Sequence, residues 1–261
     1  MKKTTIAKHF YAIIEYLLIM KINILHSPNY SAKNRSKNNI KFIVIHYTGM
    51  QSERACIRRL TNKKSKVSAH YLITRKGSIT RMVDEKKIAW HAGKSKWKNL
   101  INLNSQSIGI ELVNKGHQFG YENFSKKQIS NLILLCKDLV KKYKIKKQNI
   151  VGHSDIAPLR KKDPGEKFPW HFLSKKKIGY WHSINKKNVN DQNLNKSELR
   201  KFFFNNLYKI GYRYFDKKKS SKNDLKVIKV FQRRFRQDKV NGLIDQECFQ
   251  ISHYLASSLK N

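Results

Sequence analysis

Between residues 40 and 46 the chain reads IKFIVIH, a near-continuous apolar run rich in β-branched residues. A strand wetted on one face alternates, so this run predicts a strand buried on both faces. SIGIELV (107–113) reads the same way, and NIVGH (149–153) predicts a shorter strand ending at His153. HYLIT (70–74) and SITRMV (78–83) flank Lys76-Gly77, which predicts a hairpin. Elsewhere the apolar period lengthens to that of a helix. Ser52 is placed to cap a short helix through Leu60. Ser125 with Gln128 forms a capping-box pattern, and Ile129, Leu132, Ile133, Cys136, Leu139, Val140 and Tyr143 follow at helical spacing before a lysine-rich end. Strands interleaved with helices predict an α/β fold, a central mixed β-sheet flanked by helices.

The texture changes towards both ends. Residues 21–40 are polar and predict an extended lead-in, and residues 183–194 read as a linker. Beyond the linker, helical spacing alone remains. One helix has Ser197 as cap, Leu199, Phe202, Phe203, Leu207 and Ile210 inside, and Gly211 as stop. A second carries Leu225, Ile228, Phe231 and Phe235, and a third starts at Asp245 and carries Cys248, Ile251 and Leu255. The expected organisation is an N-terminal extension or signal segment (1–26), a main domain (27–182), the linker (183–194) and a small three-helix C-terminal domain (195–261). MKKTTIAKHFYAIIEYLLIM has the basic start and apolar run of a signal peptide, but Glu15 interrupts the run and no clean small-residue cleavage site follows. Export and retention both stay open.

Composition adds one strong feature. Fifty-six Lys and Arg face 17 Asp and Glu, for a net charge of +39. Such a field favours polyanions: nucleic acid, an anionic membrane, or a cell wall rich in carboxylates. A general drift towards lysine explains the same number. No zinc finger or RNP-type motif is present, so no specific nucleic-acid partner is expected. No stretch is long and apolar enough to predict an integral membrane span. The three cysteines, Cys56, Cys136 and Cys248, are widely spaced and predict neither a disulfide framework nor a cysteine-zinc cluster.

The chemistry-bearing residues are scattered. His46 and His153 end two predicted buried strands, where a ligand is held rigidly. Asp163 follows on a loop stiffened by Pro158 and Pro164. Two imidazoles and one carboxylate would leave the fourth position of a hydrolytic zinc site open for water. Glu111 interrupts an apolar strand, where a carboxylate is costly, and is placed to move a proton. Lys161 is placed to steady an oxyanion. Each residue taken singly has another reading: a hydrogen-bonded core histidine for His46, turn chemistry before Pro164-Gly165 for Asp163, pairing with a lysine for Glu111, and a solvated charge for Lys161. His70 in SAHYLI reads as structural. Trp90 and His91 in AWHAG would contact a sugar or peptide, or form a packed turn. GHSDI lacks the second glycine of a nucleophile elbow.

Taken together, FIVIHYTGM, SAHYLITRKGSI, AWHAGKSKW, NSQSIGIELVN and NIVGHSDIAPLRKKDPGEKFPW resemble the zinc-dependent N-acetylmuramoyl-L-alanine amidases of the AmiD/AmpD type. These share the fold of peptidoglycan recognition proteins. The resemblance runs from about residue 27 to 182 and keeps motif order. It implies one Zn²⁺ on His46, His153 and Asp163, Glu111 as acid/base, and Lys161 as transition-state stabiliser. It implies a groove-lining role for Trp90 and His91, and a non-ligand role for His70. The implied reaction is hydrolysis of the amide between the lactyl group of N-acetylmuramic acid and L-alanine, in peptidoglycan or muropeptides. A non-catalytic peptidoglycan recognition module is the alternative, although such relatives have typically lost a ligand. VIKVFQRRFR and NGLIDQECFQ resemble a three-helix peptidoglycan-binding domain, with the usual acidic D-G turn blurred as VNGLID. The tail implies an envelope or secreted location. The lack of a cysteine near the N-terminus gives no support for a lipid anchor, and the weak leader implies the cytoplasm.

Overall fold

A computed structural model describes residues 21–185, 189 and 194–260. Residues 1–20 of the expected extension or signal segment (1–26) and most of the expected linker lie outside the described residues.

The fold is a mixed central sheet flanked by helices. Its strands are β1 (Ile22–Ile24), β2 (Phe42–Tyr47), β3 (Tyr71–Ile73), β4 (Ile79–Arg81), β5 (Ser107–Leu112) and β6 (Ile150–Gly152), in the order β1-β4-β3-β5-β2-β6. Only the β3–β4 hairpin is antiparallel; every other neighbour in this sheet pairs in parallel. The central strands β5 and β2 are covered on both faces, as their unbroken apolar runs require. β1 is an addition to expectation: the lead-in predicted as merely extended contributes an edge strand.

Alternation along the strands assigns their faces. Ile43, Ile45, Ile108, Ile110 and Ile150 share one buried cluster with Ile129, Leu132 and Cys136. The last three lie on the long helix α3 (Lys126–Tyr143), which follows the short helices α1 (Glu53–Thr61) and α2 (Gly116–Phe119). Ser125 caps α3 as predicted, by accepting from the Gln128 N–H. The Gln128 side chain does not close the box. It donates to the Ile73 and Val113 carbonyls and ties α3 to the sheet.

Phe42, Val44 and Val151 point the other way, into a cluster with Phe203, Phe204, Leu207, Phe231 and Leu255. Those five belong to α6 (Lys196–Ile210), α7 (Asp224–Phe235) and α8 (Gln246–Ser257), which follow α4 (His153–Ile156) and α5 (Trp170–Lys175). The three C-terminal helices therefore form the second covering layer of the sheet, and one continuous core joins them to it.

Two details correct the sequence reading. Asn195, not Ser197, caps α6: its side chain accepts from the Ser197 and Glu198 N–H groups while Glu198 accepts from the Asn195 N–H. Phe202 and Leu225 are exposed, and Phe204, Val227 and Val230 take the inward positions. Helical spacing alone left the inward faces of α6 and α7 loosely placed, whereas Cys248, Ile251 and Leu255 of α8 are buried as expected. Gly211 does end α6, at φ 143°; a Cβ there would meet Trp97 at 2.4 Å.

Candidate active site

Sheet register brings the chemistry together. Glu111 on β5 lies directly opposite His46 on β2. Gly152 lies opposite Ile45, so the next residue, His153 at the start of α4, falls level with His46. Asp163 comes back to the same spot along the loop after α4, where its carbonyl accepts from the Ser154 N–H. His46 Nδ1 and His153 Nδ1 stand 2.9 Å apart, and Asp163 Oδ2 lies 3.2 Å from the first and 3.0 Å from the second. All three residues are buried, and one ligand atom from each could share a metal ion.

The hydrogen-bond chain behind the site assigns the protons. Ser107 Oγ donates to the Leu103 carbonyl, so it accepts from His91 Nε2–H at 3.2 Å. His91 Nδ1 is then an acceptor, and His46 Nε2–H donates to it at 3.0 Å. His46 Nδ1 is left bare. His153 Nε2–H donates to the Ala92 carbonyl at 3.1 Å, which leaves its Nδ1 bare as well. Arg160 Nη2, 3.3 Å from that nitrogen, is already taken by the Ala92 and Lys94 carbonyls. Two nitrogen lone pairs and a carboxylate oxygen thus converge with no proton between them, an arrangement that calls for a cation.

Electrostatics agree. Burial, and then the neighbouring His153 ring, lower the His46 pKa to about 4. Burial alone would raise the Asp163 carboxyl, and only positive charge at the two imidazole nitrogens beside it holds it below the usual range; with those nitrogens bare, a cation is left to supply that charge. Burial, and then the Asp163 charge, push Glu111 up to about 8, against the pull of Lys161 and Arg59. Glu111 Oε2 is buried with no hydrogen-bond partner among the described residues. An acid of that kind can hold or release a proton near neutral pH.

These groups open into one cavity of about 800 Å³, lined by Glu111, Lys161, His91, His153 and Asp163 and also by Tyr47, His117, Arg59, Arg160 and Lys162. Trp90 is not in that lining; its indole N–H donates to Ser31 Oγ at 3.1 Å. His70 sits behind the site, accepting from the Gly109 N–H at 3.0 Å. Sequence reasoning did not foresee that His91 would orient His46. The available signal was Gly109 inside a buried strand, where a Cβ would lie 2.3 Å from the His91 ring.

Comparisons with known proteins give a consistent picture. The N-acetylmuramoyl-L-alanine amidase family model (Amidase_2) matches residues 36–166. The chain is 37% identical over 231 residues to N-acetylmuramoyl-L-alanine amidase AmiD of Escherichia coli (strain K12), covering 83% of this chain and 82% of that protein. Its structure is similar to that of E. coli AmiD in complex with the substrate anhydro-N-acetylmuramic acid-L-Ala-D-gamma-Glu-L-Lys, with a TM-score of 0.73, 34% identity, and coverage of 87% of this chain and 91% of that one. It is also similar to AmpDh3 from Pseudomonas aeruginosa in complex with anhydromuramic pentapeptide, with a TM-score of 0.75, 28% identity, and coverage of 90% and 98%.

Proposed function

The chain belongs to the N-acetylmuramoyl-L-alanine amidase family, and we propose from this that it cleaves the amide between the lactyl group of N-acetylmuramic acid and L-alanine, in peptidoglycan or muropeptides, with one Zn²⁺ held by His46 Nδ1, His153 Nδ1 and Asp163 Oδ2. The observation that carries the reading is the convergence of three buried, proton-free ligand atoms beside an unpartnered glutamate. Two imidazoles and a carboxylate suit zinc, and a tetrahedral ion with bonds of ~2.0–2.1 Å sets its ligands roughly 3.3–3.4 Å apart. The separations of 2.9–3.2 Å need only a slight spreading.

Zn²⁺ bound there would supply Lewis acidity, making water acidic enough to attack and polarising the scissile carbonyl. The chain's own residues do the rest. Glu111, on the strand opposite His46, would be held ionised by the charge of the bound Zn²⁺, and as the carboxylate it accepts a proton from the attacking water and returns it to the departing alanine nitrogen. Lys161, on the cavity wall, donates to the oxyanion of the tetrahedral intermediate. His91 keeps the His46 tautomer, and the Ala92 carbonyl keeps that of His153. Trp90 and His91 belong to the loop that would border the bound substrate, with His91 on its inner wall. The sequence carries a net charge of +39, which would draw the enzyme to the carboxylate-rich wall polymer. Among the described residues no helix is long and apolar enough to cross a membrane. We assign the protein to the cell envelope or the exterior, with the cytoplasm as the alternative, and fractionation of cells decides between them.

Purified protein given an anhydro-muropeptide should release free stem peptide. It should lose that activity on exhaustive chelation and regain it with Zn²⁺. Full turnover by protein shown to be metal-free would end this reading. Glu111→Gln should keep the zinc and cut kcat on the order of 10²–10⁴-fold.

A further inference from the structure

Beside the ligands, one wall of the cavity holds a second polar chain that the mechanism above does not use. Tyr47, the residue after His46, lines the cavity together with His117. Its hydroxyl is 2.8 Å from His117 Nδ1. His117 Nε2 is 3.2 Å from both Glu166 carboxylate oxygens, and Arg233 Nε, from α7, is 3.4 Å from Glu166 Oε2. The His117 ring stacks on Tyr121 with centroids 4.3 Å apart, and the Tyr121 hydroxyl donates to the Pro164 carbonyl at 2.6 Å. The backbone is shaped around this chain. Gly116 has φ 69° and Gly165 has φ 83°, both in the left-handed region. A Cβ on Gly116 would lie 2.6 Å from the Tyr47 ring, and one on Gly165 would lie 2.9 Å from His117 Cε1.

Proton logic orients the chain. Burial would raise the Glu166 carboxyl, but its hydrogen bond with His117 brings it down to about 2, so it is an acceptor only. His117 Nε2 must then carry a hydrogen. In the neutral ring Nδ1 is an acceptor, and the Tyr47 hydroxyl donates to it. The hydrogen of that hydroxyl is thereby committed to the protein, while its oxygen, which the His117 backbone N–H also approaches, keeps a lone pair for one further donor.

We propose that Tyr47 is a substrate-positioning residue whose phenolic oxygen accepts a hydrogen bond from an N–H or O–H of the bound muropeptide, and that His117 and Glu166, braced by Arg233, aim it. This rests on the amidase reading and adds a specificity element to it. Glu166 and Arg233 act only through Tyr47, which makes the C-terminal helices part of the substrate wall.

The test uses the full chain loaded with zinc and an anhydro-muramyl peptide as substrate. Tyr47→Phe should raise KM about fivefold to tenfold, the size of one ordinary hydrogen bond, with kcat within about twofold and the melting temperature unmoved. Glu166→Ala should raise KM about threefold. Glu166→Gln still accepts from His117 and should stay within about twofold of wild type. Tyr47→Phe/Glu166→Ala should be no worse than Tyr47→Phe alone. The dissociation constant for the same muropeptide in a Glu111→Gln background should follow KM. An unchanged KM in Tyr47→Phe, or single effects that multiply in the double variant, overturns the inference. Absence of turnover in the wild type instead overturns the amidase reading beneath it. Replacing the substrate with its peptide alone, and then with its sugar alone, as competing ligands identifies which part supplies the donor. It is the part whose inhibition weakens in Tyr47→Phe.

Discussion

Asp155 and Asp163 lie on the same short stretch of chain, and both are buried, at 1% and 5% exposure. Their surroundings are opposite. The Asp155 carboxylate accepts from the Gly152 N–H at 2.7 Å, from the Tyr212 hydroxyl at 2.6 Å and from the Arg234 guanidinium. Asp163 Oδ2 faces two imidazole nitrogens that their outer hydrogen bonds leave without protons. One carboxylate is surrounded by donors and holds the molecule together, since Tyr212 and Arg234 come from the C-terminal helical region. The other is surrounded by acceptors and needs a cation. Burial of a carboxylate therefore says little about its role; the direction in which its neighbours' hydrogens point says much more.

The sharpest way to break this comparison is the same substitution at both places. Asp163→Asn removes a proposed metal ligand and should cost several kcal/mol of transition-state stabilisation, a loss of turnover on the order of 10³-fold or more. Metal analysis of the purified variant should find little zinc. Its amide can donate to the bare nitrogens of His46 and His153, so the melting temperature of the metal-free form should hold or rise. Equal destabilisation at Asp163 and Asp155, measured by denaturant titration of metal-free protein, would show that both are structural.

Asp155→Asn should do the reverse. It leaves the Arg234 charge buried and unpaired (5% exposed side chain), and breaking such a pair costs about 3–5 kcal/mol. Zinc should still bind stoichiometrically to the folded fraction. Because the penalty lies in the orphaned charge, Asp155→Asn/Arg234→Met should recover part of the lost stability. A double variant less stable than the single one would mean that Arg234 contributes through its stacking on Trp170, 4.2 Å from the ring centroid, more than through the ion pair.

The contrast also marks what could be read from the residues. The strands at 42–47 and 107–112 were legible because burial on both faces leaves an unbroken apolar run, and Glu111 stood out by interrupting one. Strand ends and a stiff loop made His46, His153 and Asp163 candidates, the family resemblance joined them into one set, and the fold brings the three together. Asp155 was not singled out: nothing local to HSDI announces a partner as distant as Arg234. The same limit hid the role of His91, a loop residue whose partners His46 and Ser107 come from two strands. Helix faces at Phe202 and Leu225 were misjudged because consecutive apolar residues fit more than one register of a 3.6-residue period.

A smaller effect probes the proton assignment around Asp163. In His91→Phe the ring keeps its place over Gly109, but His46 Nε2–H loses its acceptor. Loss of such an outer partner typically weakens metal affinity about 10–100-fold. Competition with a chromophoric zinc chelator measures it. Unchanged affinity would mean that His46 is oriented by the sheet alone, and the argument for a bare Nδ1 would lose one of its two supports.

Glu85 supplies the mildest test, as a second donor-rich carboxylate outside the cavity lining. Tyr71 and Tyr143 hydroxyls and the Lys142 ammonium all donate to it. Burial would raise its pKa, but those three donors outweigh burial and lower it. A carboxyl with a depressed folded-state pKa stabilises the fold above its unfolded value of ~4.3, and that contribution fades as pH falls towards the folded value. Lys142 is 43% exposed, so solvent screens its share. Glu85→Gln should therefore cost only about 1–2 kcal/mol at pH 7. Denaturant midpoints taken from pH 7 downwards should show the gap between wild type and variant closing below pH ~4. A gap that stays constant with pH would mean that the side chain matters there for its shape and not for its charge. Charge-matched donors would then be a weaker guide to the role of Asp155 as well.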